Sequence, residues 1–402
     1  MKIYTLIYLI LLVQAFAGQI QVTGLKKTKP EVVLREFSQE NFSSSPRDSL
    51  VFEEGLRRLR NMGLFSLVEG AWNNGAPQLN LTEKWTTIPI IKAGRGGGVN
   101  TLTAGIYDPN IAGRYLELGA QYIFYGGTHS GVAWWREPRF LNKRLLFGGD
   151  FWYTHKLMES YLGDSSLGWV GWRRMRAHVF IEPELNSHLV IHGAIEGLQD
   201  TLNSQLLPLL DGQSVYTRSP LGSKSFMATA SLRWGQLNYN LETVQGFKIE
   251  PKLKVGFETP AQQTWFLQSH LEVLGFWLAH PRLNLALRHY SALVTTDSWF
   301  HQYSLGGLEF LRGLPENFYN SKTVWVQNLE FRWTCIQRKY LRLQFVPFLD
   351  MGGTDFNNWS MLGGGGVRFM SPKIYRLSLR ADYGLELGGR QRGFSAGMQH
   401  FF

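Results

Sequence analysis

From about Thr86 to the end of the chain, apolar and polar residues alternate with a period of two. In "YLELGAQYIF", Leu116, Leu118, Ala120, Tyr122 and Phe124 take one side; Glu117, Gly119 and Gln121 take the other. In "NLEFRWTC", Leu329, Phe331, Trp333 and Cys335 oppose Asn328, Glu330, Arg332 and Thr334. "LRLQFVPFLD" sets Leu341, Leu343, Phe345 and Leu349 against Arg342, Gln344 and Asp350. "YRLSLRADYGLEL" repeats the pattern, with Leu379, Ala381, Tyr383 and Leu385 against Ser378, Arg380, Asp382 and Glu386. Gly, Pro, Asn and Asp punctuate these stretches, so they read as strands joined by turns. Soluble sandwiches alternate too, but their strands average about five or six residues. These run near ten, the length of a tilted strand that crosses a bilayer. At about 20 residues per strand and connection, the region from Thr86 holds roughly sixteen strands.

Before Thr86 the period changes. "QIQVTG" reads as a strand ended by Gly24, and Thr28 to Phe37 as a helix with Pro30 near its start. In "LVFEEGLRRLRNMG", Phe52, Leu56 and Leu59 share one helical face and Gly63 stops the helix. "LFSLVEGAW" and "PQLNLTEKW" form strands around the "NNG" turn. The region 19–85 is thus expected to be a small α/β domain of order strand, helix, helix, strand, strand. The first eighteen residues differ again: Lys2, an apolar run from Ile3 to Val13, then Ala15-Phe16-Ala17. That run is about half of what a spanning helix needs. It predicts a cleaved export signal over 1–18.

Composition agrees with an exported barrel. Aromatics make up 14% of the chain, with 14 Trp, and membrane barrels carry aromatic girdles. One cysteine, Cys335, excludes an internal disulfide framework. The net charge is +10, but the basic residues are spread singly along the strands. Nucleic acid is therefore not an expected partner; a basic lumen or anionic lipid headgroups fit better. The fold class expected is mainly β: an antiparallel transmembrane barrel over 86–402, preceded by one small α/β domain.

The chemistry of an enzyme is not apparent. "GFSAG" (Gly393 to Gly397) matches a nucleophile elbow, but it lies in a strand with five residues after it. "HLVIH" aligns His188 and His192 without a third metal ligand. "GRGGGV" lacks the Lys of a phosphate loop. No cofactor or metal is expected.

"LEFLRGLPENF" (Leu308 to Phe318) is different, because Gly313 and Pro315 break any regular element while large apolar side chains surround Arg312. Strand parity places Asp350 and Phe348 on the lumen side of one strand. It places Glu330 there on another, and Arg368 with Gly364 and Gly366 on a third. Those glycines offer a floor without side chains, where another backbone could approach closely. Pro347 cannot donate a ladder hydrogen bond and marks a place for a bulge, which would shift the parity of Asp350.

The small domain with its "RLRNMGLFSLVEGAW…LNLTEKW" stretch resembles a polypeptide-transport-associated (POTRA) domain. The barrel resembles the BamA/TamA outer-membrane assembly superfamily and its two-partner-secretion relatives. "LRGL" (Leu311, Arg312, Gly313, Leu314) is similar to the family's [VI]-R-G-[FY], with Leu314 where an aromatic is usual. "FLDMG" (Phe348 to Gly352) matches F-x-D-x-G, "GGGVR" (Gly364 to Arg368) matches G-x-G-[LV]-R, and "SPKIYRLSLRADYG" is similar to the strand that follows. The resemblance implies that a loop over 305–320 folds into the barrel and that Arg312 contacts Asp350; Glu330 is a second partner by parity. It implies that terminal Phe402 sits where the last strand closes on the first. It also implies a bacterial outer-membrane location with the POTRA domain in the periplasm. The partners implied are unfolded or extended client polypeptides, outer-membrane lipids and periplasmic accessory proteins. Two functions remain open within the resemblance, assembly of barrel proteins and a dedicated secretion pore. A passive porin stands outside it.

Overall fold

The computed structural model describes residues 18–37, 41–42, 46–73, 76–162, 165–186, 188–203, 222–239, 243–259, 264–307, 309–338, 341–354, 358–370 and 378–398. The export signal expected over 1–18 falls almost wholly outside them, as do Leu308 and Phe402. The described part forms two compact units.

The first unit holds the small domain. Its elements are β1 (Gly18–Gln19), β2 (Gln21–Thr23), α1 (Pro30–Leu34), β3 (Asn41–Phe42), α2 (Pro46–Asn61), β4 (Phe65–Asn73) and β5 (Ala76–Glu83). The first helix is shorter than its periodicity predicts, because the chain turns after Leu34. β5 is the centre of a three-stranded sheet, with β2 parallel and β4 antiparallel to it. Phe52, Leu56 and Leu59 of α2 face the sheet and are buried with Val33, Leu64, Leu79 and Leu81. Gly70 of β4 lies under them; a Cβ there would come within 2.6 Å of Leu56 and 2.7 Å of Phe52. The unit also takes in Ile106–Gly119 and Trp135–Arg144. There Arg139 grips Glu36 with two hydrogen bonds of 2.8 and 2.9 Å. Asn110 donates to Thr28 Oγ1 at 2.9 Å.

From Ile88 onward, sixteen strands close into an antiparallel barrel. Its first eleven are β6 (Ile88–Gly96), β7 (Val99–Asp108), β8 (Glu117–Tyr125), β9 (Thr128–Glu137), β10 (Leu145–Leu162), β11 (Ser165–Asn186), β12 (Leu189–Asn203), β13 (Gly222–Tyr239), β14 (Val244–Thr259), β15 (Thr264–His280) and β16 (Leu283–Val294). Two short strands, β17 (Tyr303–Leu305) and β18 (Tyr319–Ser321), pair with each other as the stem of a loop. The last five barrel strands are β19 (Thr323–Gln337), β20 (Arg342–Gly353), β21 (Trp359–Met370), β22 (Ser378–Glu386) and β23 (Arg392–Met398). Closure is by β23 on β6, where the described residues share one pair, Ala396 with Arg95.

The strand parity read from the sequence holds. On β19, Asn328, Glu330, Arg332 and Thr334 are buried inside, while Phe331 and Trp333 are exposed on the outer wall. Exposed Trp169, Trp265 and Trp359 lie at the strand ends that bear the loop, and Trp234, Trp277 and Trp333 at the opposite ends. Two such aromatic rings around an apolar wall are the pattern of a membrane barrel. No helix among the described residues is long and apolar enough to cross a membrane.

Two expectations need correction. β10 to β15 are longer than ten residues, reaching 22 in β11. Charged residues enter their outer faces toward the loop-bearing end, Arg173 between Met175 and Trp169 on β11 and Lys224 beyond Phe226 on β13. The bulge lies not at Pro347 but across from Leu343, at Cys335, where the β19–β20 register shifts. Pro347 stays in register with Gly365, so Asp350 keeps its inward parity.

Candidate functional site

The loop from Thr295 to Lys322 turns back inside the barrel between β16 and β19. Its tip needs unusual backbone: Gly313 has φ 111° and Asn317 φ 59°. Leu311 and Leu314 are buried, packed with Leu305, Val324, Val326 and Leu362. The greasy flanks of Arg312 therefore bury against the inner wall, and that burial fixes where the guanidinium goes.

Arg312 is fully buried. Its Nε and Nη2 donate to the two oxygens of Asp350, each at 2.8 Å, the two-pronged grip that a planar guanidinium makes on a carboxylate. Its backbone N–H donates to Asp350 Oδ2 at 3.2 Å. Nη1 donates to Glu330 Oε1 at 2.5 Å and lies 3.7 Å from Asp382. The guanidinium carbon stands 3.6 Å from the ring centre of Phe348, a cation–π contact out of water. Asn328 donates both to Asp350 Oδ1 at 2.9 Å and to the Phe310 carbonyl at 2.8 Å, tying strand and loop together.

Around this pair the charges are shared. Arg368 donates to Glu330 at 3.2 Å and to Asp382 at 2.7 Å. Arg332 donates to Glu330 at 2.7 Å, and Arg380 lies 3.5 Å from Asp382. Three carboxylates thus hold four guanidinium groups, each carboxylate between at least two donors or cations. Removing one member of such a network strands its partners without water.

The structure brings Arg312, Asp350, Glu330, Phe348 and Arg368 together. Gly352 lies under Leu311, where a Cβ would come within 3.2 Å of its Cδ2. Gly364 and Gly366 do not form the floor under the loop backbone. The Phe348 ring fills the space at Gly364, and the Asp382 carboxylate that at Gly366. The floor lies further along the same ladder row, Phe348–Gly364–Gly384–Gly393. A Cβ on Gly384 would meet the Arg312 carbonyl at 2.2 Å, and one on Gly393 the Gly313 carbonyl at 3.1 Å. Gly364 therefore serves the site indirectly: it lets the Phe348 ring lie flat beneath Arg312.

Asp382, Asn328, Arg332, Gly384 and Gly393 belong to the site without having been singled out from sequence. Their inward parity was readable; the cross-strand row that aligns them was not. Gly393 is the first residue of the "GFSAG" stretch, and its role is to clear the loop. The "GRGGGV" stretch makes the β6–β7 turn, where the Gly97 carbonyl accepts the Glu316 N–H at 3.1 Å. His192 Nδ1 donates to Glu182 Oε1 at 2.9 Å, and among the described residues no cluster suited to a metal occurs.

The loop does not fill the lumen. A cavity of about 580 Å³ remains beside it, lined by Lys92, Trp152, Lys156, Arg176, Glu316 and Arg380 among others. It borders β6 and β23, the two strands of the closure.

No family model matches the sequence, and no curated protein is similar to it at the level of sequence. The fold has clear likenesses among solved structures. A BamA from Haemophilus ducreyi, in a form lacking POTRA domains 1–3, aligns with a TM-score of 0.68 at 15% identity. The alignment covers 95% of this chain and 84% of that one. CdiB from Escherichia coli aligns with a TM-score of 0.65 at 12% identity, over 95% and 76% of the two chains. CdiB from Acinetobacter baumannii gives 0.62 at 11%, over 95% and 74%. The chain has the fold of these barrels, and its N-terminal α/β unit is compatible with a single POTRA domain.

Proposed function

We propose that this chain, built on the BamA and CdiB fold, is a bacterial outer-membrane barrel that inserts or translocates polypeptides. The observation that carries the reading is the inward loop held by buried Arg312 on Asp350 and Glu330. A passive porin needs neither a loop latched in this way nor a POTRA domain ahead of its barrel. In this reading Arg312 is a latch that fixes the loop. Residues 19–85 are the POTRA domain and lie in the periplasm.

Two exposed β edges give the chemistry of client capture. β4 is an edge of the small sheet, so an extended client can add a strand to it. The closure of the barrel is the second edge. Opening it would expose unpaired backbone to lipid, which costs several kcal/mol for each group, about what an incoming strand would restore. The closure joins β23 to β6, with Ala396 opposite Arg95. Clients and lipids are the expected partners, with accessory periplasmic proteins; the chain itself is not an enzyme.

Depletion of the protein tests the reading, with the outer-membrane and secreted proteomes compared. Broad loss of barrel proteins supports assembly. Loss of one secreted protein supports the second reading, a dedicated two-partner-type secretion pore. Unchanged proteomes with a change only in small-solute uptake would mean a porin.

A further inference from the structure

The loop touches the wall at a second place, at its base, eleven to fourteen residues before Arg312. Before reaching the β17–β18 stem, the segment Ser298–His301 lies against β11 to β15. Arg174 of β11 donates to Asp200 of β12 through Nε at 2.7 Å and Nη2 at 3.0 Å. The same Nη2 donates to the Phe300 carbonyl of the loop at 2.7 Å. Trp172 Nε1 also donates to Asp200, at 2.8 Å, so this carboxylate sets the direction of the guanidinium. The His301 ring is buried 4.2 Å from the ring of Phe266, with Nε2 at 3.0 Å from Ser225 Oγ. Gln268 donates to the His301 carbonyl at 3.1 Å. Ser298 and Ser223 both donate to Glu258 Oε1, at 2.7 and 2.6 Å.

The two contact areas differ in kind. The tip is held through the charged side chain of the loop itself. The base is held mostly through loop backbone carbonyls and uncharged side chains, with the charges on the wall. The tip uses β19 to β22, the base β11 to β15, and β16 separates the two arcs. A segment bound at both ends cannot leave the lumen by losing one.

We propose that Arg174, Asp200, Ser225, Glu258 and Gln268 form a second fastening, so that the loop ties two arcs of the wall and closes the lumen until both ends release. These are positioning residues; they act through the loop. The inference rests on the reading that this loop governs the lumen.

The test is a double-mutant cycle of single-channel conductance on the full chain in planar bilayers. The tip variant is Arg312→Ala. The base variant is Ser225→Ala with Gln268→Leu, which leaves no unpaired buried charge; His301→Ala is a second base variant. Heat-modifiable gel mobility confirms a folded barrel in each. Each single variant is expected to raise conductance little. The combination is expected to exceed the product of the two by about tenfold, the coupling expected of two holds on one segment. Thiol labelling of a cysteine at Asn317, in a Cys335→Ser background, should follow the same pattern. Full opening in Arg312→Ala alone overturns the proposal, as do base changes that add nothing to it. Coupled conductance with unchanged proteomes on depletion would leave the second fastening standing and sink the translocation reading instead.

Discussion

Arg312 is a cation with no water, and three features have to agree for it to stay there. Two carboxylates take its donors, a flat ring lies under its face, and glycines let its backbone approach the wall. The two-pronged geometry makes Arg312→Lys a poor replacement, since an ammonium cannot grip both Asp350 oxygens and reach Glu330. Loss of activity in Arg312→Lys, with normal barrel levels in the membrane, is the expected outcome of a complementation assay. Arg312→Ala should cost the loop about 3–5 kcal/mol of fastening, read as faster proteolysis of residues 305–320. A second prediction removes no charge. Gly384→Ala places a methyl 2.2 Å from the Arg312 carbonyl and should displace the loop as Arg312→Ala does. Gly363→Ala, whose new Cβ meets Leu387 at 3.6 Å, should behave as wild type in the same proteolysis assay. Much of this site was legible. Alternation alone put Asp350, Glu330 and Arg368 inside, and Arg312 stood out as a charge in an apolar turn. Gly384 and Gly393 were not legible as a floor, because their use depends on which strand residues face each other across four strands. Local pattern does not contain that register. The base of the loop was missed for a related reason: its holds are backbone carbonyls, and any sequence supplies those.

Among the elements, β19 and β20 show how register protects a site. The bulge at Cys335 falls five residues beyond Glu330, past the in-register Thr334–Gln344 pair, so the turn-side irregularity does not reach the carboxylates. Sequence pointed instead to Pro347, since a proline removes a ladder donor; the strand tolerates it without an extra residue. Strand number was readable from chain length and turn spacing, while the extra length of β10 to β15 was not. Charged residues enter the outer face toward the loop-bearing end, as Arg173 and Lys224 do, and a period-two reading loses its contrast there. Two predictions belong to this scale. Cysteines at Arg95 and Ala396, in a Cys335→Ser background, should form a disulfide across the β6–β23 closure. Oxidation is expected to block client handling and reduction to restore it; full activity when oxidised would mean that the closure need not open. In the small domain, Glu83 accepts the N–H groups of Lys27 and Thr28 at 2.9 and 2.7 Å. Partial burial alone would raise its pKa, but these amides outweigh it and hold the carboxyl below the usual carboxylate range. A depressed folded pKa contributes stability above the unfolded value of about 4.3 and loses it as pH falls through the folded one. Protection of the Lys27 and Thr28 amides, measured against their intrinsic exchange, should therefore fall below about pH 4, and Glu83→Gln should flatten that dependence.

At the scale of the whole molecule, the outer wall and the inner wall answer to different solvents. The two Trp rings set the edges of the apolar band, and lipids brominated near the headgroup should quench tryptophan fluorescence more than lipids brominated at the chain end. Equal quenching would remove the case for interfacial girdles. Inside, around the loop tip, charges are matched between neighbouring strands of β19 to β22. The closure between β23 and β6 has a mechanical consequence. β23 is the last strand of the sheet, paired with β22 on one side and closing on β6 on the other. Pulled from the C-terminal end, the sheet should peel hairpin by hairpin, beginning with β22–β23 at low force. The force should then climb at β20 and β19, where each further step must also tear Arg312 from its carboxylates. Single-molecule unfolding traces of the wild type and Arg312→Ala should differ at that peak alone, which makes the loop a rip-stop in the fabric of the wall.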